Sequence, residues 1–226
     1  MRRFAVSDIH GCVQTFQDLL LSIQLSEADA LYLLGDFIDR GPDAQGVIDT
    51  ILDLRDAGFN VSCLRGNHEQ MFLDALKGGE RQKAAFLVNG GTETLRSFGV
   101  SSVEEVPLRY VHFMEALPYY IDLSDYLLVH AGFNGNTGDP LLDLDSMLWI
   151  RNWYFSIDPY WLGKKKIVHG HTPIGKEAIQ GMCGHLSEAQ VLNIDAGCVF
   201  KRIPDMGHLC AFDLDTHQLF FKPYVG

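Results

Sequence analysis

The sequence has no long apolar run. Its uninterrupted hydrophobic stretches are only a handful of residues long, whereas a helix needs about 20 such residues to span a bilayer. The N-terminal segment already reaches an acidic residue at Asp8, which leaves no room for the apolar core of a signal peptide. We therefore expect no membrane association and a cytoplasmic location.

Basic residues are also scarce. The chain has 18 Lys and Arg against 29 Asp and Glu, which gives a formal net charge of −11. Binding to the backbone of DNA or RNA requires a basic face that releases counterions, so we expect no nucleic-acid partner. The acidic balance does not exclude phosphorylated substrates, because bound metal ions can reverse the charge of a site locally.

Cysteines are few, and they lack paired spacing. The five of them stand at positions 12, 63, 183, 198 and 210 without a C-x-x-C motif. An odd number without such a framework favours free thiols in a reducing compartment. A zinc site that uses Cys183 and His185 is a weaker alternative.

No repeat, linker or low-complexity tract interrupts the 226 residues, of which 47% are hydrophobic. This composition is that of a globular protein, and we expect a single domain over residues 1–226. Apolar runs predict strands at 4–6, 31–34 and 59–63, with helically spaced apolar residues between them at 13–23 and 47–52. Residues 67–117 are predicted to be mostly helical. Further strands are predicted at 119–123, 126–129, 166–168, 191–194, 208–214 and 218–222.

Polar side chains follow several of these strands at the point where each strand ends. After the first three strands these are Asp8, His10, Asp36, Asn67 and His68, and after two later strands His130 and His171. The carboxyl ends of neighbouring parallel strands meet at the edge where open α/β sheets bind ligands. We therefore expect these side chains to converge on one site.

Carboxylate, imidazole and amide oxygen together form a ligand set for two divalent cations. In this prediction Asp36 bridges the two ions. The remaining ligands are Asp8 and His10 for the first ion and Asn67, His130 and His171 for the second. Two ions about 3.5–4 Å apart lower the pKa of a shared water and clamp phosphoryl oxygens. His169 is expected to lie beside the site or in the core rather than to bind metal.

Five segments resemble the motifs of one family in the same order. They are S-D-I-H-G, G-D-F-I-D-R-G-P, R-G-N-H-E, V-H-A-G and G-H-T-P, and they run from Asp8 to Thr172. The chain resembles the phosphoprotein phosphatase branch of the calcineurin-like metallophosphoesterases, most of all its bacterial and phage-type enzymes. The resemblance implies an α/β fold, a two-sheet β-sandwich flanked by helices. It also implies that hydroxide bound to two metal ions, manganese with iron or zinc as alternatives, attacks phosphorus in line without a covalent phosphoenzyme.

The same resemblance implies a role for each remaining motif residue. His68 would be the general acid that protonates the leaving oxygen, held by Asp39. Arg40 and Arg151 would bind the phosphate next to Asn67. The family usually has glycine where this chain has Ser7, and we expect no loss of function from this departure.

The implied activity is hydrolysis of phosphoserine and phosphothreonine in proteins, with phosphotyrosine and small phosphoesters also open. The oligomeric state is open as well. The first alternative is a symmetrical diadenosine-tetraphosphate hydrolase. That branch resembles this chain but typically lacks the aspartate at Asp39 and ends its third motif in N-H-D, whereas this chain has Glu69. A second alternative is a non-catalytic scaffold of the same fold, which should have lost metal ligands or the acid.

Overall fold

The computed structural model describes residues 1–226. Its strands are β1 (Arg3–Val6), β2 (Ala30–Leu33), β3 (Asn60–Cys63), β4 (Tyr120–Asp122), β5 (Tyr126–Val129), β6 (Lys166–His169), β7 (Val191–Asn193), β8 (His208–Asp213) and β9 (Leu219–Pro223). Its helices are α1 (Val13–Ser22), α2 (Ala44–Asp56), α3 (Asn67–Lys77), α4 (Glu80–Phe86), α5 (Thr92–Ser97), α6 (Leu108–Glu115), α7 (Leu144–Trp149), α8 (Pro159–Leu162), α9 (Lys176–Gly184) and α10 (Leu186–Ala189). Short 3₁₀ turns cover Val103–Glu105, Pro140–Leu142 and Tyr154–Ser156.

The strands form two sheets. The larger has the order β3-β2-β1-β8-β9, in which β1, β2 and β3 are parallel. The smaller has the order β4-β5-β6-β7, in which β5, β6 and β7 are parallel. In the larger sheet Val6 pairs with Leu33, which pairs with Cys63. The three parallel strands therefore end level, and the loops that follow them leave the sheet at one edge.

The alternation of side chains along each strand builds separate cores on the two faces of each sheet. In β1, Phe4 and Val6 pack against helices, whereas Ala5 belongs to the core between the sheets. In β5, Leu128 faces that same inter-sheet core and Leu127 packs outward with residues of α7 and α8. The layers are helix, sheet, sheet and helix, which confirms the predicted two-sheet sandwich flanked by helices.

Most of the predicted elements are present with their ends displaced by a residue or two. There are two exceptions, and the sequence suggested no helix in either. The segment between β5 and β6 contains the short helices α7 and α8, and the connection between β6 and β7 contains α9 and α10. Of these, α9 and α10 bury only Ile179 and Leu186. A single buried residue per helix leaves too weak a periodic pattern to be recognised.

The longest helix, α2, has 13 residues, and no helix is long and apolar enough to cross a membrane. All five cysteines are free, as predicted, and all but Cys183 are buried. The Cys183 thiol donates to the carbonyl of His217 at 3.3 Å. His185 lies exposed beside Glu188, so the structure offers no support for a zinc site there.

Candidate active site

The loops after the parallel strands of both sheets meet at one edge of the sandwich. Six of the predicted site residues in these loops have a left-handed backbone, namely Asp8, His10, Asp36, Asp39, Arg40 and His171. Only eleven non-glycine residues in the whole chain share that conformation. Left-handed backbone is costly for most side chains and clusters where function requires it. The concentration at this edge therefore makes it the candidate functional site.

Asp36 lies at the centre of the cluster. Its Oδ2 is 3.6 Å from Nε2 of His10 and 3.9 Å from Nε2 of His68. Its Oδ1 is 3.5 Å from Nε2 of His130. Two groups of potential ligand atoms share this residue, His10 with His68 on one side and His130 with His171 on the other. Asp36 is thus placed where a bridging carboxylate would be needed.

On the side of Asp36 that holds His130, hydrogen-bond acceptors outnumber the protons available to them. The ring of His130 donates through Nδ1 to the carbonyl of Leu34 at 2.9 Å, and burial lowers its pKa, so Nε2 of the neutral ring carries a lone pair. That lone pair faces Oδ1 of Asn67 at 2.9 Å, and the same oxygen is 2.8 Å from Nδ1 of His171. Nε2 of His171 is buried and has no hydrogen-bond partner. Such a convergence of acceptors fits a cation.

On the other side of Asp36, His10 is oriented in the same way. Its Nδ1 donates to the carbonyl of Ile38 at 2.9 Å, and its Nε2 accepts from Nη1 of Arg40 at 2.8 Å. Burial, followed by the charge of Arg40, lowers the pKa of His10 to about 3. The ring is therefore neutral near pH 7, and its Nε2 lone pair points toward the guanidinium group of Arg40.

Asp8 is held against the loop that carries His171. The backbone N–H of His171 lies 3.1 Å from both carboxylate oxygens, and the hydroxyl of Ser7 donates to Oδ2. A Cβ at Gly170 would meet Oδ2 of Asp8 at 1.9 Å, so only glycine lets the carboxylate approach. The serine at position 7 therefore adds a hydrogen bond to Asp8.

The centre contains more negative charge than its protein surroundings neutralise. The buried acidic residues at this edge of the sandwich are Asp8, Asp36, Asp39, Glu69 and Asp195. Burial, then the charges of Asp8 and Glu69, raises the pKa of Asp36 well above its ordinary value. Burial and the charge of Asp8 likewise raise the pKa of Asp195. Buried carboxylates are unfavourable unless they are paired or bind metal. Together with the excess of acceptors, this charge makes the residues a good fit for two divalent ions.

His68 is fixed by a chain of hydrogen bonds. Its Nδ1 donates to Oδ2 of Asp39 at 2.6 Å, and Oδ1 of Asp39 accepts from the hydroxyl of Thr94 at 2.6 Å. The N–H of Asp39 in turn donates to Oγ1 of Thr94 at 2.8 Å. Burial lowers the pKa of His68 and raises that of Asp39. Burial therefore favours the neutral ring of His68, whereas the neighbouring carboxylate of Asp39 favours the charged imidazolium.

Glu69 organises the loop that carries Asp36. Its Oε2 accepts from the N–H groups of Asp36 and Gly66, both at 2.9 Å. Its Oε1 accepts from those of Phe37 at 2.8 Å and Ile38 at 3.4 Å. Burial raises the pKa of Glu69, and these four donors oppose the rise. Because all four partners are donors, the geometry is that of an ionised carboxylate.

Both predicted phosphate-binding arginines are exposed at the rim of the site. Nη1 of Arg151 donates to the hydroxyl of Thr172 at 2.8 Å. The N–H of Arg40 donates to the carbonyl of Gly90 at 3.2 Å. A Cβ at Gly90 would meet that nitrogen at 2.7 Å, and its φ is +111°. The turn at Asn89-Gly90-Gly91 therefore requires glycine at position 90 in order to support Arg40.

His169 uses both ring nitrogens in hydrogen bonds. Nδ1 lies 2.9 Å from the carbonyl of Gly170, and Nε2 lies 2.9 Å from the hydroxyl of Tyr154. It packs beside the cluster, in the kind of position predicted for it.

Sequence reasoning missed two residues of the site. Thr94 lies in α5, far from every motif, and no pattern points to it. Asp195 stands two residues after the end of β7, so the rule that polar residues follow strands would have found it. Sequence reasoning used Glu69 only to separate related branches and did not predict its four hydrogen bonds.

Comparison with known proteins is consistent with this geometry. Residues 1–203 match the family model of the calcineurin-like phosphoesterases. The chain is 29% identical over 204 residues to serine/threonine-protein phosphatase 1 of Salmonella typhimurium, with 87% of each protein covered. It is 34% identical over 134 residues to a symmetrical bis(5′-nucleosyl)-tetraphosphatase of Acidovorax, and this match covers 58% of the chain and 44% of that relative.

The fold has solved counterparts as well. A protein serine/threonine phosphatase from Saccharomyces cerevisiae superposes with a TM-score of 0.69 at 14% identity, over 100% of this chain and 81% of that one. The family match covers far more than half of the chain. The chain therefore belongs to the calcineurin-like phosphoesterase family, and it is a hydrolase of phosphate esters from a family that uses divalent metal ions.

Proposed function

We propose that this protein is a metal-dependent protein phosphatase that hydrolyses phosphoserine and phosphothreonine. The observation that carries the proposal is the buried His68–Asp39 pair, joined at 2.6 Å beside Asp36. A serine or threonine alkoxide is a poor leaving group and needs a proton as the ester bond breaks. A nucleotide leaves as a stabilised phosphate anion and needs such an acid much less.

The metal ions in this proposal are divalent and most simply manganese, with iron or zinc as alternatives, because oxygen and nitrogen ligands suit all three. The first ion would be held by Asp8, His10 and Asp36, and the second by Asp36, Asn67, His130 and His171. When bound, such ions lower the pKa of a coordinated water and offset the negative charge of the phosphate.

The chain's own side chains bind the phosphate and deliver the proton to the leaving oxygen. Arg40 and Arg151 hold the phosphoryl oxygens through their planar guanidinium groups, next to Asn67. Thr94 and Asp39 keep the His68 ring in one orientation. Nε2 of His68 carries the proton to the leaving oxygen, while the Nδ1 proton stays in its hydrogen bond to Asp39.

The relatives support the two activities about equally well. The match to the Salmonella protein phosphatase spans 87% of both chains. The match to the Acidovorax tetraphosphatase spans less than half of that relative, but its higher local identity makes hydrolysis of dinucleotide polyphosphates the second candidate. A scaffold without activity is disfavoured, because none of the motif residues is missing.

A substrate panel tests the proposal. Enzyme supplemented with Mn²⁺ is assayed on a phosphoserine peptide, a phosphotyrosine peptide and diadenosine tetraphosphate, each beside a chelated control. We expect chelator-sensitive release of phosphate from the phosphoserine peptide. Hydrolysis of the dinucleotide alone would overturn the proposal in favour of the second candidate.

The role of His68 is tested by His68→Asn, with the exposed His112→Asn on α6 as the matched control. We expect His68→Asn to lower kcat on the phosphoserine peptide by about 10²–10⁴-fold, the usual size of general acid catalysis. The loss should be much smaller on para-nitrophenyl phosphate, whose leaving group needs no proton. Equal losses on the two substrates would refute the role of His68 as the acid.

A further inference from the structure

A groove leads away from the candidate phosphate site. It has a volume of about 390 Å³ and runs from Arg151 and Thr172 past Tyr154 and Phe155 to Met182. A second hollow of about 490 Å³ continues it, because the two share Tyr154, Phe155 and Met182. Thr172 follows the candidate metal ligand His171 directly in the chain, and Arg151 is a candidate phosphate-binding residue, so the groove begins beside the candidate site.

The walls of the groove are apolar and well defined. Tyr154 is held in place because its hydroxyl is 2.9 Å from Nε2 of His169. Met182, which lies on α9, also lines the groove. The ring of Phe155 is fully exposed to solvent in the free protein. An aromatic ring left in water at the mouth of an active-site groove is typical of a surface that binds an apolar partner.

Most polar groups along the groove bond to one another or to the backbone; the exceptions are the exposed Asn152 and, in the second hollow, the exposed His185. The hydroxyl of Thr172 accepts from Arg151 at 2.8 Å. Nδ2 of Asn193 donates to the carbonyl of Thr172 at 2.7 Å, and its Oδ1 accepts from the N–H of Asp195 at 2.8 Å. The interior therefore has few free donors or acceptors with which to read the edge of a nucleobase.

The charge along the groove also argues against a dinucleotide. Arg151 is the only lysine or arginine among the lining residues of both hollows, and the chain as a whole carries a net charge of −11. One guanidinium at the entrance suits the single phosphoryl group of a phosphoester. A polyphosphate bridge carries several negative charges and would extend them along an apolar wall.

We propose that this groove binds an apolar side chain close to the phosphorylated residue of a protein substrate, and so sets sequence preference. The inference rests on the proposed phosphatase function. Removing apolar surface of the size of a few methylene groups from such a pocket changes kcat/KM by about tenfold or more.

The test uses pairs of phosphothreonine peptides. The two members of a pair are identical except at one position, where one has leucine and the other alanine. The varied positions are the two before and the two after the phosphothreonine. The readout is the ratio of kcat/KM between the two members of a pair, which does not depend on the fraction of active enzyme in the preparation. At one of these positions we expect a preference for leucine of about tenfold in the wild type. The preference should fall to near unity in Phe155→Ala and in Met182→Ala.

Tyr160→Ala is the matched control, because Tyr160 is an almost fully exposed aromatic residue that lines neither hollow. It should keep the wild-type ratio. No leucine preference at any position, or a preference that survives both groove variants, overturns the groove proposal while the phosphatase function stands. Failure to hydrolyse any phosphopeptide, combined with loss of diadenosine tetraphosphate hydrolysis in Phe155→Ala, overturns both and assigns the groove to a nucleobase.

Discussion

Glu69→Gln removes half of a buried hydrogen-bond network without changing the size of the side chain. Glu69 is completely buried, and its two oxygens accept from four backbone N–H groups. Glutamine keeps one oxygen and turns its NH₂ group toward two of those donors. Each hydrogen bond to a charged group is worth about 1.5–3 kcal/mol. We therefore expect a loss of about 3 kcal/mol in the free energy of unfolding, after partial relaxation.

In a chain of this length a loss of that size lowers Tm by roughly 6–12 °C. Differential scanning calorimetry measures it, and Glu27→Gln provides the control, because Glu27 is exposed. The variant should also lose activity, since two of the four donors belong to Asp36 and Phe37. A Tm within about 2 °C of the wild type would refute the reasoning that Glu69 holds this loop.

Asp29→Asn tests a second buried carboxylate, whose pKa is lowered mainly by its hydrogen bonds to Arg2. An acid with a lowered pKa stabilises the fold above its ordinary pKa of about 3.9 and loses that contribution as the pH falls. Urea unfolding should show that the variant's free energy of unfolding is about 1–2 kcal/mol below that of the wild type at pH 7, and that this difference shrinks below about pH 4. A difference that does not change with pH would contradict the stabilising role of the ionised carboxylate. For Gly66→Ala, a Cβ would meet Oδ1 of Asp36 at 2.1 Å, so kcat should fall by about 10²-fold. An unchanged kcat would remove Asp36 from the reacting centre. The matched control is Gly79→Ala, because Gly79 is exposed and a Cβ there would meet no neighbouring atom. Gly58 is unsuited as a control, because its φ is +92°.

The sequence could predict those parts of the fold in which buried apolar residues follow one another or recur at regular spacing. The strands at β1, β2 and β3 are short apolar runs, and because their ends are level the polar residues behind them had to converge. The sequence alone therefore indicated that Asp8, Asp36 and Asn67 lie close together.

The parts that sequence could not predict depend on contacts between distant segments. Thr94 reaches Asp39 across 55 positions of the chain, and a lone threonine inside a helix carries no signal of such a contact. The helix α9 buries one residue, Ile179, so its amphipathic pattern is faint although it forms a wall of the groove. The side chain of Ser7 bonds to Asp8, which only the backbone geometry of the loop reveals.

If Asp36 joins two metal ions, as proposed above, the metal content of the purified protein depends on this one carboxylate. Protein reconstituted with Mn²⁺ and freed of loosely bound ions is measured by elemental analysis, beside Asp36→Asn and the control Asp53→Asn, whose parent side chain is exposed. The account predicts two ions per chain in the wild type and in Asp53→Asn, and depletion of both ions in Asp36→Asn. Two ions retained in Asp36→Asn, or phosphatase activity that persists after the metal has been removed from the wild type, would contradict it.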